Sequence, residues 1–549
     1  MSPEVAFQLA MSHRQAGRLP EAEAFLRQVA AAAPHFADAW LQLGLVVLSA
    51  GRASEAVDFI ARAIAIHPDR AAYHSDQAVA YTYSGRPEPA IAAFQRALSL
   101  QPDLAYAHRN LADTFQRLER YDEAIASYQR ALALAPGDAG AHNNLGNAML
   151  KLGRLSEAAA CYGRAAQLAP NLVVAHSNLG DILTKLGNPD EGIACARRVL
   201  ALNPQFAEGY LNLGVAFWHK RAFGEAENCF RQAIALRPDF ADAHLSLAVV
   251  LLLVGRLEEG WHEYEWRWRS SSHGKSARRF SQPNWDGKLV PGQRLLIHAE
   301  QGFGDTLHFA RYLPLVVEQS QAALVIFESQ KPLQPLLAQL SGPKLEIVAR
   351  STDESLPPFD LHLPLFSLPL KLDRYEPILM DAPYLHADPE RRARWRERLG
   401  SEEGLRVGIS WAGNPTNEND RRRLMTLEAL DPLLRVPGVH FVSLQVQARG
   451  PVPANVADFT AEISDFSDTA ALMAELDLII TVDTAAAHLA GALGRPVWVL
   501  LPFVPDWRWG LEGGKTPLYP TMTLFRQSRA GEWGDVVERI LDALRSFKC

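Results

Sequence analysis

Prolines recur at a fixed interval of 34 residues through the first half of the 549-residue chain. The series consists of Pro34, Pro68, Pro102, Pro136, Pro170, Pro204 and Pro238. Between them the same order of large and small residues returns, as in Trp40-x-x-Leu43-Gly44 and, three copies later, His142-x-x-Leu145-Gly146. Such a period restricts the fold to stacked copies of one small unit, because each copy can bury its apolar face only against its neighbours.

The period and the placing of small residues are those of the tetratricopeptide repeat, a pair of packed helices. Small residues such as Gly44 and Gly146 let the two helices approach closely, and the proline ends the second helix. The sequence therefore predicts an all-α solenoid of about eight repeats over residues 1–270. Residues 260–268 depart from the pattern, as expected of a last repeat that docks on another part of the chain.

Cysteine and histidine follow the same period. Equivalent positions in stacked repeats lie roughly 8–10 Å apart, too far for a disulfide, so we expect the cysteines to be small buried apolar groups. They are Cys161, Cys195 and Cys229. The histidines stand where one repeat has Trp40, which indicates a packing position rather than a set of ligands. They are His74, His108, His142, His176 and His244.

Asparagine forms a further series, two residues after that packing position. It consists of Asn110, Asn144, Asn178 and Asn212. The first helix of each repeat lines the concave side of such solenoids. A carboxamide both donates and accepts hydrogen bonds, so a row of them can hold a peptide backbone without reading its side chains. We favour an acceptor-polypeptide groove; the alternative is that asparagine is simply tolerated at a solvated position.

Composition excludes several classes of protein. The chain carries 55 Lys and Arg against 62 Asp and Glu, a formal charge of −7, which disfavours binding to nucleic acid by bulk charge. Four cysteines exclude a disulfide-built scaffold. The longest apolar run, residues 247–254, is too short for a membrane span, and no signal-peptide pattern opens the chain. We therefore expect a cytoplasmic protein.

The second half predicts an α/β region. After a connector at 271–292, apolar runs alternate with helical segments in two series, which we assign to an N-terminal lobe at 293–385 and a C-terminal lobe at 405–549. A basic helix within 386–404 links them. The predicted strands are 294–299, 323–327, 406–411, 440–444, 478–482 and 497–501. The fold class is thus α plus α/β, with parallel sheets in two facing lobes.

The first polar loop follows the first predicted strand. Gly302-x-Gly304 lacks the third glycine of a dinucleotide fingerprint, because Leu307 stands there. Asp305 and His308 lie where this strand passes into a helix, and open sheets bind ligands at such ends. Asp305 can accept a proton from an incoming hydroxyl or cap the helix, two roles that can coexist, and His308 is the rival base.

Two more polar segments follow later strands. One segment contains Asn414 and Arg423, with two further arginines directly before Arg423. These cations can neutralise a departing diphosphate; the alternative is a solvated run of charges. The other runs from Asp483 to His488, where a buried strand meets a helix of small residues. Free amide groups at the start of this helix, with the hydroxyl of Thr484, suit a phosphate, and the small side chains of Ala485 and Ala486 let it come close to the backbone. The alternative is a tightly packed strand–helix unit without a ligand.

These residues resemble known families. The two-lobed plan with a phosphate site in the second lobe resembles the GT-B glycosyltransferases. Residues 483–496 resemble the donor-phosphate motif of the lipopolysaccharide heptosyltransferases, and Gly304-Asp305 resembles their N-lobe loop. A solenoid with an asparagine ladder joined to such a region resembles the protein O-GlcNAc transferases. Residues 411–415 and 505–509 resemble signatures of bacterial repeat-plus-glycosyltransferase proteins, some of which modify flagellin.

The resemblance implies roles for individual residues. Asp305 falls on the heptosyltransferase base, Arg423 on a cation that binds the donor phosphates, and Asp483, Thr484 and Ala485 on the phosphate-binding turn. It implies transfer of a sugar from a nucleotide donor to a hydroxyl, with Ser or Thr of flagellin or another bacterial protein as the expected acceptor. We expect no metal and no cofactor. The alternatives are a glycosyltransferase that acts on a glycan or a lipid-linked acceptor, and a non-catalytic scaffold.

Overall fold

The computed structural model of the chain describes residues 1–272, 274, 278, 280–350, 356–380, 382–401, 403–413, 423–446 and 452–547. Two compact units are present, Met1–Ala216 and Phe217–Cys549. The second unit thus begins within the repeats and contains the last helices of the solenoid as well as the α/β region.

Sixteen consecutive helices make up the predicted solenoid. They are α1 (Pro3–Gln15), α2 (Leu19–Ala32), α3 (Ala37–Ser49), α4 (Ala53–Ile66), α5 (Ala71–Tyr83), α6 (Pro87–Leu100), α7 (Ala105–Arg117), α8 (Tyr121–Leu134), α9 (Ala139–Lys151), α10 (Leu155–Leu168), α11 (Val173–Lys185), α12 (Pro189–Leu202), α13 (Ala207–His219), α14 (Phe223–Leu236), α15 (Ala241–Leu253) and α16 (Leu257–Tyr264). A 3₁₀ helix, Glu265–Arg269, continues α16.

Small residues bring the two helices of a repeat together, as predicted. A methyl group added at Gly44 would lie 2.6 Å from Ile60 Cγ1, and one at Gly146 would lie 2.7 Å from Tyr162 Cε1. Both distances are shorter than any van der Waals contact, so only glycine allows this approach of the helices.

Ring nitrogens explain why tryptophan and histidine share one position. The Trp40 indole N–H donates to the Pro34 carbonyl at 2.9 Å. The Nε2 atoms of the five histidines lie 2.8–3.1 Å from the carbonyls of the corresponding prolines. Each ring therefore ties the first helix of its repeat to the end of the preceding helix, which supports a structural role for this position. Cys161 and Cys195 are partly buried and Cys229 is buried, and none of the three forms a disulfide within the described residues.

The first parallel sheet belongs to the second unit and has the order β3-β2-β1-β4. Its strands are β1 (Arg294–His298), β2 (Leu324–Ser329), β3 (Leu345–Ala349) and β4 (Leu361–Pro364). The helices along this stretch are α17 (Phe303–Phe309), α18 (Leu313–Ser320), α19 (Gln334–Leu337) and α20 (Leu368–Lys371). The predicted helix after β1 begins at Phe303, and a 3₁₀ turn at Ala310–Tyr312 separates it from α18.

The second sheet has six parallel strands in the order β10-β9-β8-β5-β6-β7. Its strands are β5 (Leu405–Ser410), β6 (Val439–Ser443), β7 (Val456–Ala457), β8 (Leu478–Val482), β9 (Val497–Leu501) and β10 (Met522–Arg526). The helices are α21 (Pro389–Leu399), α22 (Leu427–Leu434), α23 (Phe466–Ala474), α24 (Ala485–Ala492) and α25 (Gly534–Ser546). This is the strand order of a doubly wound sheet: from the middle, β5 to β7 follow one another in one direction and β8 to β10 in the other. In such sheets ligands bind at the point between β5 and β8 where the strand order reverses.

One apolar core joins the parts of the second unit. It includes Trp261 of α16, Leu295 and Ile297 of β1, and Ile479 and Val499 of the six-stranded sheet. The far face of that sheet packs separately against α22 and α25. None of the helices within the described ranges is both long and apolar enough to cross a lipid bilayer.

The packing of glycine predicts a stability difference between two helices of one repeat. Gly146→Ala places a methyl group against Tyr162, and overpacking of this kind costs about 1–3 kcal/mol. Gly163 of α10 is the matched control, because a methyl group there meets no described atom within 4 Å. Gly163→Ala should be neutral or stabilising by up to about 1 kcal/mol, the helix-propensity gain. Native-state hydrogen exchange of α9 and α10 measures both, and equal effects would contradict this packing.

Candidate functional site

Polar side chains gather beyond the carboxyl ends of β1, β8 and β9, at the switch points of the two sheets. The loop after β1 leads into α17, the turn after β8 leads into α24, and the loop after β9 contains a 3₁₀ helix, Trp507–Trp509. Gly304 of α17 is in contact with α24, since a methyl group at Gly304 would lie 2.9 Å from His488 Cδ2 and 3.3 Å from Ala485 Cα. The second glycine of the loop is therefore needed for this contact.

Asp305 lies in the first turn of α17 and makes two contacts. Its Oδ2 accepts the Gly302 N–H at 3.0 Å, which is the helix-capping role considered from the sequence. Its Oδ1 accepts from Arg508 Nη2 at 2.6 Å. The side chain remains 24% exposed. Asp305 therefore both caps the helix and presents a carboxylate that a ligand can reach.

Arg508 is a largely buried cation of the site, with 7% of its side chain exposed. Besides Asp305, its guanidinium contacts Asp506, with Nη1 at 2.7 Å from Oδ1. The guanidinium carbon lies 4.7 Å from the ring centre of Trp507 and 5.5 Å from that of Phe366, both cation–π distances. These contacts join the helix after β1 to the loop after β9.

Burial and neighbouring charge set the protonation of two carboxyl groups. Burial raises the pKa of Asp305 above its usual value, while the Arg508 guanidinium opposes the shift. Burial, with the Asp506 carboxylate, raises the pKa of Asp483 to about 6, against the opposing effect of Arg423 and Arg508. A carboxylate whose pKa is raised towards neutrality is a better general base than an ordinary aspartate.

Arg423 lies beside the turn after β8. Its Nη1 donates to the Asp483 carbonyl at 2.8 Å, so the structure brings together the arginine and the turn that the sequence singled out. Thr484 is the N-cap of α24, and its hydroxyl lies 3.1 Å from that of Thr481. Thr484, Ala485 and Ala486 are partly exposed. A cation and the positive end of an eight-residue helix thus face solvent at one place, an arrangement that favours an anion.

The two predicted histidines are buried between helices. His308 is 1% exposed, and neither of its ring nitrogens has a hydrogen-bond partner in the described part of the chain. His488 Nδ1 lies 3.0 Å from the Tyr519 hydroxyl, and its ring stacks on Trp509. Burial lowers the pKa of both imidazoles well below the usual value, and Arg508 and Arg311 add to the shift. Both rings are therefore neutral at physiological pH.

The asparagine series makes hydrogen bonds between repeats. Asn144 Nδ2 donates to Asp113 Oδ1 at 3.0 Å, Asn178 Nδ2 to Asn143 Oδ1 at 3.0 Å, and Asn212 Nδ2 to the Ser177 hydroxyl at 3.1 Å. All four predicted residues, Asn110 included, are partly exposed. The amide nitrogens of three of them therefore stiffen the solenoid, a role that sequence reasoning did not consider.

One predicted donor residue, Asn414, lies outside the described residues, as do the two arginines before Arg423. Conversely, Arg508 and Asp506 were not assigned a role from the sequence, although residues 505–509 stood out as a family signature. An arginine between two tryptophans and two residues after an aspartate was the available signal, because that composition suits a buried cation.

Comparison with known proteins agrees with this division of the chain. Tetratricopeptide-repeat families match residues 13–79, 78–119, 113–153, 139–172, 177–227 and 221–264. The family described as glycosyltransferase family 9 (heptosyltransferase) matches residues 461–501, which include β8, α24 and β9. The chain joins a tetratricopeptide-repeat solenoid to an α/β region similar to glycosyltransferase family 9.

Individual relatives cover parts of the chain. Protein FlbA of Caulobacter vibrioides is 31% identical over 333 residues, which cover 55% of this chain and 54% of FlbA. The chain therefore spans about half the length of this curated relative. The crystal structure of YrrB, a TPR protein with an unusual peptide-binding site, covers 34% of this chain and 95% of YrrB at 25% identity and a TM-score of 0.32. PilF of Pseudomonas aeruginosa covers 38% of this chain and 94% of PilF at 22% identity and a TM-score of 0.34.

The raised pKa of Asp483 predicts a pH-dependent stability difference. Its folded-state pKa of about 6 exceeds the unfolded value, so ionisation destabilises the fold increasingly as the pH rises through about 6. Asp483→Asn removes this penalty. The stability of the variant relative to the wild type should therefore increase between pH 5 and pH 8 by on the order of 1–2 kcal/mol.

Thermal unfolding at the two pH values measures the effect. Asp431→Asn serves as the control, because Asp431 is exposed and pairs only with Arg435 of the next helical turn within the described residues. A stability difference between Asp483→Asn and the wild type that does not vary with pH would contradict the electrostatic description of the site.

Proposed function

We propose that this chain transfers a glycosyl group from a nucleotide-sugar donor to a hydroxyl, with Ser or Thr of a protein as the acceptor. The observation that carries the proposal is the Asp305–Arg508 ion pair at 2.6 Å, in a helix whose Gly304 lies against Ala485 of α24, next to the turn that Arg423 contacts. A base beside an anion site supplies the two components that glycosyl transfer requires. The similarity of residues 461–501 to glycosyltransferase family 9 supports the same reaction class.

In the proposed reaction the acceptor oxygen forms a bond to the anomeric carbon of the donor sugar. The bond from that carbon to the diphosphate oxygen breaks, and its electron pair leaves with the nucleoside diphosphate. Asp305 takes the hydroxyl proton, and its raised pKa favours this transfer. Arg423 and the amide groups at the start of α24 stabilise the charge that develops on the diphosphate.

Asp305 is a better candidate for the base than His308. The carboxylate is 24% exposed on its side chain, whereas His308 is 1% exposed and is surrounded by His488, Trp507 and Tyr519. A base must come within hydrogen-bonding distance of the proton that it removes. In this proposal Arg508 keeps Asp305 oriented, and the buried histidines contribute packing.

The solenoid supplies the protein acceptor in this proposal. A carboxamide has two donor and two acceptor positions, so the amide nitrogens can bridge repeats while the oxygens accept N–H groups of an extended peptide. Asn110, Asn144, Asn178 and Asn212 offer such oxygens at a regular interval along the repeats.

We further propose that the two sheets are the lobes of a GT-B fold and that the protein acts in the cytoplasm. We also propose that transfer needs no metal, because guanidinium groups and helix amides supply the positive charge.

The test is release of nucleoside diphosphate by the purified full chain from UDP-, ADP- and CDP-linked sugars, with and without a Ser- and Thr-containing peptide. Asp305→Asn keeps an acceptor for the Gly302 N–H but is not basic, so the rate should fall by about 10²–10⁴. Arg423→Ala should lower the rate by about 10²–10³, because a positioned cation is lost.

Asp431→Asn and Arg435→Ala remove the two partners of an exposed ion pair on the same sheet region and serve as controls with unchanged rates. Wild-type rates in both Asp305→Asn and Arg423→Ala would refute the assigned roles. Equal activity on a free glycan and on the peptide would contradict a protein acceptor and indicate a glycan acceptor instead.

A further inference from the structure

The end of the solenoid makes buried polar contacts with the loop that precedes Asp305. Arg267, in the 3₁₀ helix after α16, is 0% exposed. Its Nε and Nη2 atoms donate to the two carboxylate oxygens of Glu300, both at 3.0 Å. Nη1 donates to Glu265 at 2.6 Å, and Nη2 also to the Ser367 hydroxyl at 2.9 Å. Glu300 in turn accepts the Phe366 N–H at 2.8 Å, so the bidentate pair has a single geometry.

The next loop residue is held from the same helix. Gln301 Nε2 donates to the Tyr264 hydroxyl at 2.8 Å, and the Gln301 carbonyl accepts from Gln330 Nε2 at 2.7 Å. Gly302 follows and donates its N–H to Asp305. Three of the four residues between β1 and α17, namely Glu300, Gln301 and Gly302, are thus each held by a side chain, and the side chains that hold Glu300 and Gln301 include two from the last repeat.

Trp261 of α16 packs against the two elements that carry the Asp305–Arg508 pair. Its ring meets Phe309 of α17 edge-on at 6.0 Å between centres, and Trp507, the neighbour of Arg508, at 5.3 Å. Its indole N–H donates to the Tyr375 carbonyl at 3.2 Å. One short helix therefore contacts the element that bears the carboxylate and the element that bears the guanidinium.

We propose that Arg267 and Tyr264 are positioning residues: they fix Glu300 and Gln301 and thereby place Asp305 for the reaction. The inference rests on the proposed function, because it assigns these side chains a role in transfer. A buried ion pair contributes little net stability relative to apolar residues of similar volume, but it imposes one orientation on both partners. The terminal repeat is accordingly a part of the catalytic unit, in addition to any contact that the solenoid makes with an acceptor.

The test uses the full chain with the paired replacement Arg267→Met/Glu300→Leu, which removes both charges and leaves neither buried alone. The unfolding temperature should stay within a few degrees of the wild type, because both buried charges are removed together; Glu265 loses its cation but is 32% exposed and still accepts from the Ser367 hydroxyl. Hydrogen exchange of residues 300–309 should become about tenfold faster or more, since the charged hydrogen bonds that order the loop are gone. Exchange in α24 should not change.

Kinetics provide a second readout that lost packing alone would not move. The variant should bind UDP, ADP or CDP, whichever the wild type binds, within about twofold of the wild type, because the phosphate turn is untouched. Its kcat for transfer should fall by about tenfold or more, as the loop leaves its oriented state. Tyr264→Phe removes only the hydroxyl oxygen and is the milder second variant. We expect it to make hydrogen exchange at residues 301–303 faster and to lower kcat, as the paired replacement does.

Arg231→Met/Glu259→Leu is the matched control, an Arg–Glu pair between α14 and α16 of the same repeat region. It should leave both the exchange of 300–309 and kcat unchanged. Wild-type exchange and wild-type kcat in both Arg267→Met/Glu300→Leu and Tyr264→Phe would overturn the inference. If the wild type itself transferred no sugar, the proposed function would fail, whereas faster exchange would still establish the ordering of the loop by the last repeat.

Discussion

The second unit depends on one buried cation. The Arg508 guanidinium donates to Asp305 and Asp506 and lies against the rings of Trp507 and Phe366. A buried charge is costly unless it is paired, so the two carboxylates that accept from its Nη atoms stabilise Arg508 in the folded unit. Because Asp305 follows β1 and Arg508 follows β9, this arrangement joins the four-stranded sheet to the six-stranded sheet at the carboxyl ends of their strands.

The same arrangement sets the charge that an incoming anion meets. Asp305, Asp483 and Asp506 interact electrostatically with Arg423 and Arg508. Without a ligand, these three carboxyl groups face two guanidinium groups. A diphosphate beside Arg423 and α24 would add negative charge, and Asp483, whose pKa is raised to about 6, can take up a proton in response.

The repeats and the ends of the main strands could be predicted from the sequence, whereas contacts between distant segments could not. The proline period predicted the solenoid, and β8 and β9 lie where the apolar runs placed them. Four short strands were missed: β3, β4, β7 and β10. β4 was missed because its four residues are too few to show a periodic pattern. Asp305 and the turn at Asp483 could be singled out because open sheets bind ligands at the carboxyl ends of their strands. The Arg508–Asp305 contact spans 203 residues, and no local pattern reports it.

The central claim is that the turn after β8, with Arg423, receives a diphosphate. Calorimetric titration of the full chain with UDP, CDP and ADP, and with the corresponding nucleosides, tests it most directly. We predict that at least one diphosphate binds about tenfold or more tightly than its nucleoside, because the phosphates supply charge-assisted hydrogen bonds, and that Arg423→Ala removes most of the difference. Diphosphates that bind no better than nucleosides, or a difference that Arg423→Ala leaves intact, would contradict the account.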